Sequence, residues 1–595
     1  MNSAYTTRLQ TIRREMDRLG LDAFIVPSED EYLGEYIPDY NRRLEWLSGF
    51  TGSAGMIIVM KAKAALFVDG RYTVQSRQQV SATDYQFLHL HEDPQAKWLS
   101  NELTAGQVVG FDPRMHTYQW YLDTKSILDD FNIELKGLSE NPIDLSWHDR
   151  PAIEVKPSIL MDHKWTGITS SEKRANMGNL IADKNADAAI LFSAESCNWL
   201  LNIRGQDIPS LPIALGFGIL YANGDMIFHI NKNKLAVGIN EHVGTGVTFL
   251  AEEDFEGSLK SLKNLRVLAD FNTCNAYSMI HAVEYGANLI QQPDPVLLPK
   301  AAKSEIEIAG MREAHIQDAV AEIGFLHWFD QQVEQGLRLD EATLSEKLFD
   351  FRQQQPNFVE VSFNTISAAG SNAAMCHYNH LNGTPAVLPE NGVYLVDSGG
   401  QYDCGTTDIT RTLAVGNPDD DIKKNFTLVL KGHIALDLIT FPEGTTGSQL
   451  DILARAPLWH SGLDYDHGTG HGVGHFMSVH EGPQRISKKG NDIALVPGMV
   501  LSNEPGYYKD GAYGIRCENL VVVQEAEGLG QDGKTFLQFD ALTYVPFDLR
   551  LVLTDLLTEQ ERQWLNNYHL KVLTLMSPRV NQADLDWLKQ ATRAV

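Results

Sequence analysis

The chain carries, at residues 392–413, the stretch GVYLVDSGGQYDCGTTDITRTL, which predicts two apolar strands joined by a glycine-containing connector. Asp397 ends the first strand, and Asp408 lies in the second, at Thr407–Leu413. A charge at the end of an apolar strand is costly unless another group compensates it. Because side chains on one face of an antiparallel hairpin lie roughly 5 Å apart, we expect these two carboxylates to share a pair of cations.

A second pair of acids nearer the C-terminus repeats this arrangement. Met499–Asn503 predicts a strand that leads to Glu504 in SNEPG, and Gly514–Val523 predicts a strand that carries Glu518 in RCEN. Between the two predicted hairpins, DHGTGHGVGH places His471 among glycines that let the backbone approach closely on both sides of the imidazole.

These five side chains together predict a metal site, although any one of the acids alone would more often cap a helix or pair with an arginine. Four carboxylates and one imidazole would repel one another at one point, whereas two divalent cations would neutralise them and leave room for a bridging hydroxide. The mainly oxygen donor set permits Mn²⁺, Mg²⁺ or Fe²⁺, with Co²⁺ and Zn²⁺ as competitors. From the residues alone, we predict a metal-dependent hydrolase.

The composition limits which partners and which cellular compartment are expected for this chain. The 595 residues are 43% apolar and carry a formal charge of −28, which disfavours nucleic acid and anionic membrane surfaces as partners. Five widely spaced cysteines without a CxxC motif fit free, buried thiols in a reducing compartment. The N-terminus has no apolar signal region, and no apolar stretch is long enough to span a bilayer. We therefore expect a cytoplasmic protein.

Two segments of the first half resemble each other, at Leu21–Tyr72 and Ala186–Ile230. Each has a short strand, a Trp-Leu pair, a glycine-containing turn and two more apolar strands. Amphipathic helical stretches precede them at Arg8–Leu19 and Ser171–Lys184. This order of features predicts two α/β domains that arose by duplication.

Proline-rich joins near residues 140–165 and 293–303 predict three domains, at 1–150, 151–300 and 301–595. Ser304 and Glu307 form a predicted capping box at the start of the third. That segment is expected to alternate strands with long helices, at 304–336, 340–355, 419–440 and 447–457.

The motifs, in this order, resemble those of the aminopeptidase P family, in its long three-domain form, among the metallopeptidases of the pita-bread or creatinase-like fold. The likeness rests on NTISAAGSNAAMCHY, VDSGGQYDCGTTDITRT, HGTGHGVGHFMSVHEGP, LSNEPGYY and YGIRCENLVVV, and extends to SEDEYLGEY, RLEWLSGFTGSAG, WLLNIRGQDIPSLP and the tail WLNNYH. It implies an α/β (α+β) fold with two creatinase-like N-terminal α/β domains followed by a pita-bread catalytic domain.

The resemblance also implies a dinuclear site and assigns its ligands. Asp397 and Asp408 would hold one metal, and Asp408, His471 and Glu504 the other, while Asp408 and Glu518 would bridge both. The family implies Mn²⁺ as the first choice of cation.

Three more histidines match family positions, and the resemblance gives them catalytic and substrate-binding roles. His377 would shuttle a proton, while His467 and His480 would contact the peptide near the scissile bond. Glu504 would act as the general base.

The motifs give less support to predictions for four further residues. Tyr508 and Arg516 are predicted to bind substrate or orient the acids, and His475 is a weaker candidate. We expect His433, in a predicted helix, to lie at the surface.

The activity that the resemblance implies is release of the N-terminal residue from peptides with proline in second position, by a homodimer. One alternative is a prolidase that cuts only Xaa-Pro dipeptides. Another, of a different class, is a metal-free pita-bread module that binds peptides without cleaving them, although such a module should have lost ligands.

Overall fold

A computed structural model describes residues 2–530 and 533–595. The chain separates into two compact units, each assembled from several segments. The first consists of Met1–Leu160, Ile168–Pro209 and Ile213–Leu297, and the second consists of Met161–Gly167, Ser210–Pro212 and Leu298–Val595. The division into three domains stays a prediction.

The described part of the first 150 residues contains six β-strands and six α-helices. The strands are β1 (Ala23–Pro27), β2 (Gly55–Met60), β3 (Ala64–Val68), β4 (Gln86–His89), β5 (Val108–Phe111) and β6 (Glu134–Gly137). The helices are α1 (Asn2–Leu19), α2 (Arg43–Ser48), α3 (Thr73–Gln79), α4 (Gln95–Glu102), α5 (Tyr118–Asp130) and α6 (Pro142–Ser146).

The next stretch, to residue 301, follows a similar plan. Its strands are β7 (Ile159–Leu160), β8 (Ala188–Leu191), β9 (Ile203–Arg204), β10 (Phe217–Tyr221), β11 (Met226–His229), β12 (Val247–Leu250), β13 (Arg266–Ala269) and β14 (Asn288–Gln291). Its helices are α7 (His163–Thr166), α8 (Ser170–Asp183), α9 (Ala194–Leu201), α10 (Ile239–Val243), α11 (Phe255–Ser261), α12 (Ala276–Glu284) and α13 (Leu297–Ala301).

Two six-stranded sheets in the first unit share one strand order. The first runs β4-β3-β2-β1-β5-β6, and the second runs β12-β11-β10-β8-β13-β14. In each, the central strand pairs antiparallel with one neighbour and parallel with the other. Trp46 and Trp199 lie in equivalent helices, α2 and α9, which follow the central strands. The predicted repeat is therefore confirmed at the level of topology.

The remaining chain contains the longest described helix and half of the described strands. The helices are α14 (Glu305–Glu334), α15 (Glu341–Arg352), α16 (Asp420–Asp437), α17 (Gly447–Trp459), α18 (Glu559–Met576) and α19 (Gln582–Ala591). The strands are β15 (Phe358–Val361), β16 (Ile366–Ala369), β17 (Gly392–Ser398), β18 (Gly400–Tyr402), β19 (Gly405–Thr406), β20 (Ile409–Val415), β21 (Thr440–Pro442), β22 (Gly470–Gly472), β23 (Glu481–Ile486), β24 (Val500–Asn503), β25 (Gly506–Lys509), β26 (Tyr513–Arg516), β27 (Asn519–Glu525) and β28 (Phe536–Ala541).

Four predicted helices of the third segment are confirmed as α14 to α17. Helix α14 begins with the predicted capping box, in which the Ser304 side chain accepts from the Glu307 backbone and the Glu307 carboxylate accepts from the Ser304 backbone. The sheets that carry the acidic motifs run β16-β17-β20 and β21-β28-β27-β24-β22-β23, and β25 pairs with β26 separately.

The first predicted hairpin is confirmed as the antiparallel pair β17 and β20, but its connector is more elaborate than a glycine turn. Strands β18 and β19 lie within the connector and pair with each other, and β18 also pairs with β15, which completes a separate three-stranded sheet. In the β17–β20 register, Ser398 faces Ile409 and Asp397 faces Thr410. The two aspartates are therefore staggered along the ladder rather than directly opposite.

The second predicted hairpin is corrected at one of its strands. The stretch Gly514–Val523 was predicted as one strand, but it divides into β26 and β27 with Cys517 and Glu518 between them. Strand β26 pairs with β25, whereas β27 pairs with β24 and β28. The chain changes partner at Glu518, and a pattern of local residues does not reveal such an exchange.

Within the described ranges, none of the helices combines the length and the apolarity that crossing a lipid bilayer would require.

Candidate metal centre

Three predicted ligands form a tight cluster in the second unit. Asp408, His471 and Glu518 each offer one ligand atom, and these atoms lie within 4.8 Å of one another. They come from the start of β20, from β22 and from the step between β26 and β27. Residues far apart in sequence thus meet at one point.

The imidazole of His471 is oriented as a ligand. Its Nδ1 lies 2.9 Å from the backbone oxygen of Gly472, and because a carbonyl only accepts, Nδ1 carries the proton. The lone pair on Nε2 then faces Asp408 Oδ2 at 3.5 Å and Glu504 Oε1 at 3.4 Å. A histidine held in one tautomer by its other nitrogen is the usual arrangement at metal sites.

Two carboxylates have one oxygen held by the protein and one left open. Arg516 donates to Asp397 Oδ2 at 2.5 Å, and Thr410 donates to Glu518 Oε2 at 2.6 Å. The other oxygens, Asp397 Oδ1 and Glu518 Oε1, are buried and accept no hydrogen bond from any described residue. Buried acceptors without partners are rare and costly. Bound cations would satisfy both, so the donor set fits the dinuclear site that the sequence predicts.

The electrostatics of the cluster lead to the same conclusion. Burial raises the pKa of Asp408 well above its ordinary value, and the nearby charges of Asp397 and Glu504 raise it further. The pKa of Glu518 is also raised, first by burial and then by Asp408 and Asp397. Carboxylates packed this closely cannot all ionise at neutral pH unless positive charge is added between them.

A hydrogen-bonded chain links Asp397 to three of the predicted substrate-binding residues, Arg516, Tyr508 and His467. Arg516 contacts Asp397 and also donates from Nη1 to the Tyr508 hydroxyl at 2.6 Å. The Tyr508 hydroxyl lies 2.8 Å from His467 Nε2, while His467 Nδ1 faces the carbonyl of Gly468. In the neutral imidazole Nδ1 therefore carries the proton, so Tyr508 donates to His467.

The other predicted histidines differ in how closely the geometry ties them to the cluster. The ring of His480 meets that of His471 edge to face, with centroids 4.4 Å apart. His377 is half-buried and follows Cys376, whose carbonyl accepts from Arg516 at 3.3 Å. His475 is buried against α14, where a Cβ added to Gly310 would lie 3.0 Å from its Nε2.

Glycines on both sides of His471 bring its strand close to its neighbours, as the sequence predicts. A Cβ at Gly470 would lie 2.0 Å from the carbonyl oxygen of Ser502, and one at Gly472 would lie 2.4 Å from that of Glu481. No larger residue fits at either position without displacing backbone. Strand β22 can therefore lie between β23 and β24 and present His471 to the cluster.

The prediction for His433 is wrong, because its side chain is fully buried rather than at the surface. It faces inward from α16 and contacts both Asn503 and Asn519, which adjoin the predicted ligands Glu504 and Glu518. The sequence did contain a signal, since His433 continues the spacing of the buried Ile422, Phe426 and Val429 along one face of the helix.

The predicted role of the cysteines as buried hydrophobic residues is confirmed for four of the five, and Cys376 is partly exposed. Burial raises the pKa of Cys404 and of Cys517 to about 12, so these thiols stay protonated. Sequence reasoning also missed Thr410, whose hydroxyl donates to Glu518 and accepts from Arg516 Nε at 3.0 Å.

Models of known families match the chain over four successive regions. The creatinase/prolidase N-terminal domain matches residues 8–142 and again 149–307. Metallopeptidase family M24 matches residues 309–525, and the C-terminal region of peptidase M24 matches 535–595.

Individual relatives match over nearly the whole chain. Aminopeptidase P1 of Lotus japonicus is 34% identical, over 97% of this chain and 97% of the relative. A probable Xaa-Pro aminopeptidase P of Talaromyces marneffei is 37% identical, over 98% of this chain and 92% of the relative.

A crystal structure of X-prolyl aminopeptidase from Caenorhabditis elegans, described as a cytosolic enzyme with a di-nuclear active site, superposes with a TM-score of 0.94. It is 34% identical and covers 99% of this chain and 100% of that chain. The chain therefore belongs to the aminopeptidase P family of M24 metallopeptidases, which are hydrolases, and combines creatinase-type N-terminal domains with an M24 catalytic domain.

Proposed function

We propose that this protein is a metal-dependent aminopeptidase that releases the N-terminal residue from peptides with proline in second position. The observation that carries the proposal is the convergence of Asp408, His471 and Glu518 within 4.8 Å. The names of the relatives, which are Xaa-Pro aminopeptidases, supply the specificity for proline.

The proposed ligand set follows the predicted order. Asp397, Asp408, His471, Glu504 and Glu518 would together hold two cations, with Mn²⁺ as the first choice. Two such cations would lower the pKa of a water between them and polarise the scissile carbonyl.

Glu504 is the proposed general base. Its side chain is 17% exposed, compared with 5% for Asp408, so Glu504 is the more accessible of the two to a substrate. Ser502 donates to Glu504 Oε1 at 3.2 Å and fixes its direction. A carboxylate that is held in place and partly open can accept a proton from water as the peptide is attacked.

Three histidines are proposed to act on the peptide. An Xaa-Pro bond is a tertiary amide, so its departing nitrogen must gain a proton, and His377 is the proposed source. His467 and His480 are proposed to bind the peptide beside the scissile bond. Tyr508 and Arg516 orient His467 and Asp397 through the contacts described above and are proposed to form the floor of the substrate site.

The setting of the enzyme is also a proposal. We infer a cytoplasmic location, since the Caenorhabditis elegans relative is described as cytosolic. The homodimer and the domains at 1–150, 151–300 and 301–595 are proposed from the resemblance and from the proline-rich joins. Light scattering of the purified protein would measure the oligomeric state directly.

The test combines metal analysis with peptide assays. We expect about two Mn²⁺ per chain and release of alanine from Ala-Pro-Ala. Cleavage of Ala-Pro but not of Ala-Pro-Ala would favour a prolidase. Binding of these peptides without cleavage would favour the metal-free binding module.

Single substitutions test the assignment of the site. Asp408→Ala or Glu504→Ala should reduce turnover by at least about 10³-fold, because a ligand or the base is lost. Glu525→Ala, which changes an exposed glutamate at the end of β27, is the matched control and should retain activity. Near-normal activity in a folded Asp408→Ala protein would contradict the assignment.

A further inference from the structure

Two buried asparagines adjoin the proposed ligands Glu504 and Glu518. Asn503 is the last residue of β24 and precedes Glu504, while Asn519 is the first residue of β27 and follows Glu518. The two asparagines face each other in the ladder and are fully buried. Both glutamates thus lie just beyond the end of the paired strands, where the ladder itself no longer holds them.

The side chain of His433 spans this end of the ladder from α16. Its Nδ1 lies 3.0 Å from the backbone oxygen of Asn503, and its Nε2 lies 3.3 Å from Asn519 Nδ2. The Asn503 side chain returns a hydrogen bond, from Nδ2 to the His433 carbonyl, at 3.0 Å. One imidazole therefore connects the two strand ends that lead to Glu504 and Glu518.

The donors and acceptors of these hydrogen bonds are fixed by chemistry. The guanidinium of Arg411 can only donate, so the Asn519 atom that faces it at 2.9 Å is Oδ1, and Nδ2 is left to face His433. The Asn503 carbonyl can only accept, so His433 Nδ1 carries the proton and Nε2 accepts. The ring is then neutral, in agreement with burial, which lowers the pKa of His433 to about 3.

Arg411 holds the same strand end from the other side. Its Nη1 donates to the carbonyl of Glu518 at 2.5 Å and to that of Thr410 at 2.9 Å. The guanidinium also stacks 4.1 Å from the centroid of Phe547 and is fully buried. Arg411 therefore fixes the backbone of Glu518, while the imidazole of His433 contacts the ends of both strands.

We propose that His433 is a positioning residue that sets the separation of Glu504 and Glu518, and with it the affinity of the paired cation site. The proposal rests on the proposed function in taking both glutamates as ligands. A neutral imidazole with one donor and one acceptor acts as a spacer of fixed length, which a flexible or apolar side chain cannot replace. Groups that orient ligands from behind typically contribute about 10–100-fold to metal affinity.

The test is calorimetric titration of the metal-free full-length protein with Mn²⁺. His433→Leu should weaken Mn²⁺ binding by about 10–100-fold. His315→Leu is the matched control, because His315 is also a buried histidine in a helix and also donates from Nδ1 to a carbonyl, that of Met311 at 2.7 Å. It should lower the unfolding temperature without changing Mn²⁺ affinity.

Asn519→Ser removes the contact between Asn519 and His433 Nε2 from the side of β27. If His433→Leu does not fold, the Mn²⁺ affinity of Asn519→Ser tests the positioning role. The losses in affinity should be non-additive, so that the double variant binds Mn²⁺ about as well as the weaker single variant. Wild-type affinity in the folded single variants, or additive losses, would overturn the positioning role alone. A wild-type protein that binds no Mn²⁺ would instead overturn the proposed function, and the positioning role with it.

Discussion

Arg516 binds four acceptors at once, and its shape determines what can replace it. Its guanidinium contacts Asp397, Tyr508, Thr410 and the carbonyl of Cys376. The planar fork presents several fixed donors, whereas a lysine ammonium is a single point of charge on a flexible stem. At this position charge alone is therefore not sufficient.

We predict that Arg516→Lys lowers kcat/KM for Ala-Pro-Ala by about 10–100-fold while the protein stays folded. The lysine can pair with Asp397 but cannot also hold Tyr508 and the backbone of Cys376. Arg550→Lys is the control, since Arg550 is an exposed arginine that pairs with Asp330 and Asp548. Equal kcat/KM values in the two variants would show that the fork geometry of Arg516 has no catalytic consequence.

Several elements of the second unit are joined by buried charges rather than by apolar contact alone. Lys300 in α13 and Lys303 in the following linker both pair with Glu481 of β23, at 2.6 and 2.9 Å. All three side chains are at most 2% exposed. One carboxylate therefore holds the approach to α14 against the strand that follows His480.

We expect Glu481→Gln to cost about 3–5 kcal/mol of unfolding free energy, because the buried ammonium groups of Lys300 and Lys303 lose the carboxylate that they share. Lys303→Met should cost less, since Glu481 keeps its pair with Lys300. Thermal and guanidinium unfolding would measure the loss of unfolding free energy in each variant. A larger loss for Lys303→Met than for Glu481→Gln would mean that the two lysines do not share the carboxylate as described.

A buried hydrogen bond joins α16 to α18 and makes the free energy of unfolding depend on pH. Asp437 Oδ2 accepts from Trp564 Nε1 at 2.7 Å, and burial raises the pKa of Asp437 from 3.8 to about 6. The folded protein thus binds a proton below about pH 6 that the unfolded chain binds only below about pH 4. Between these values stability falls as pH rises, and above pH 6 the cost of the buried charge persists.

Asp437→Asn should remove this cost while keeping an acceptor for Trp564. We predict that at pH 8 the variant is more stable than the wild type by up to about 3 kcal/mol, and that the difference shrinks toward pH 4. Denaturant unfolding at several pH values would check this. A difference that is constant with pH would show that Asp437 does not titrate in this range.

At the scale of the whole molecule, the sequence predicted the elements well where local signals agree. The capping box at Ser304 located the start of α14, and the order of strands and Trp-Leu pairs predicted two sheets of one topology. The acidic motifs stand out because each places a charge within or next to apolar strand sequence. For these features, residue type and spacing carry the information without tertiary context.

The features that were missed depend on which elements meet. The division of the predicted strand Gly514–Val523 follows from pairing with two different partners, which its own residues do not specify. Likewise, the apolar spacing along α16 includes His433, but whether the covered face extends to that position depends on the elements that pack against the helix. Long-range packing therefore set the outcome in both cases.

The two-cation site also links function to the stability of the second unit. Asp397 Oδ1 and Glu518 Oε1 are buried without partners among the described residues, and bound cations would satisfy them. A ligand that binds only the folded state stabilises it by mass action.

We therefore predict that removal of metal with a chelator lowers the unfolding temperature and that added Mn²⁺ restores it. The Asp408→Ala protein should show a much smaller response, which makes it the control. An unfolding temperature that does not change with chelator in the wild type would mean that these carboxylates are stable without cations.

Glu518 occupies a two-residue step that belongs to neither of the ladders on its two sides. An extra residue within β27 would move every following side chain to the opposite face of the sheet. An extra residue at Cys517–Glu518 would leave both registers intact and would alter only the bonds of the step itself, which run from Cys517 N to Pro505 O, from Glu518 N to Thr410 O and from Arg411 to Glu518 O. The length of this step can therefore vary independently of the sheets, and through it the spacing between two bound ions could be adjusted without rebuilding the scaffold.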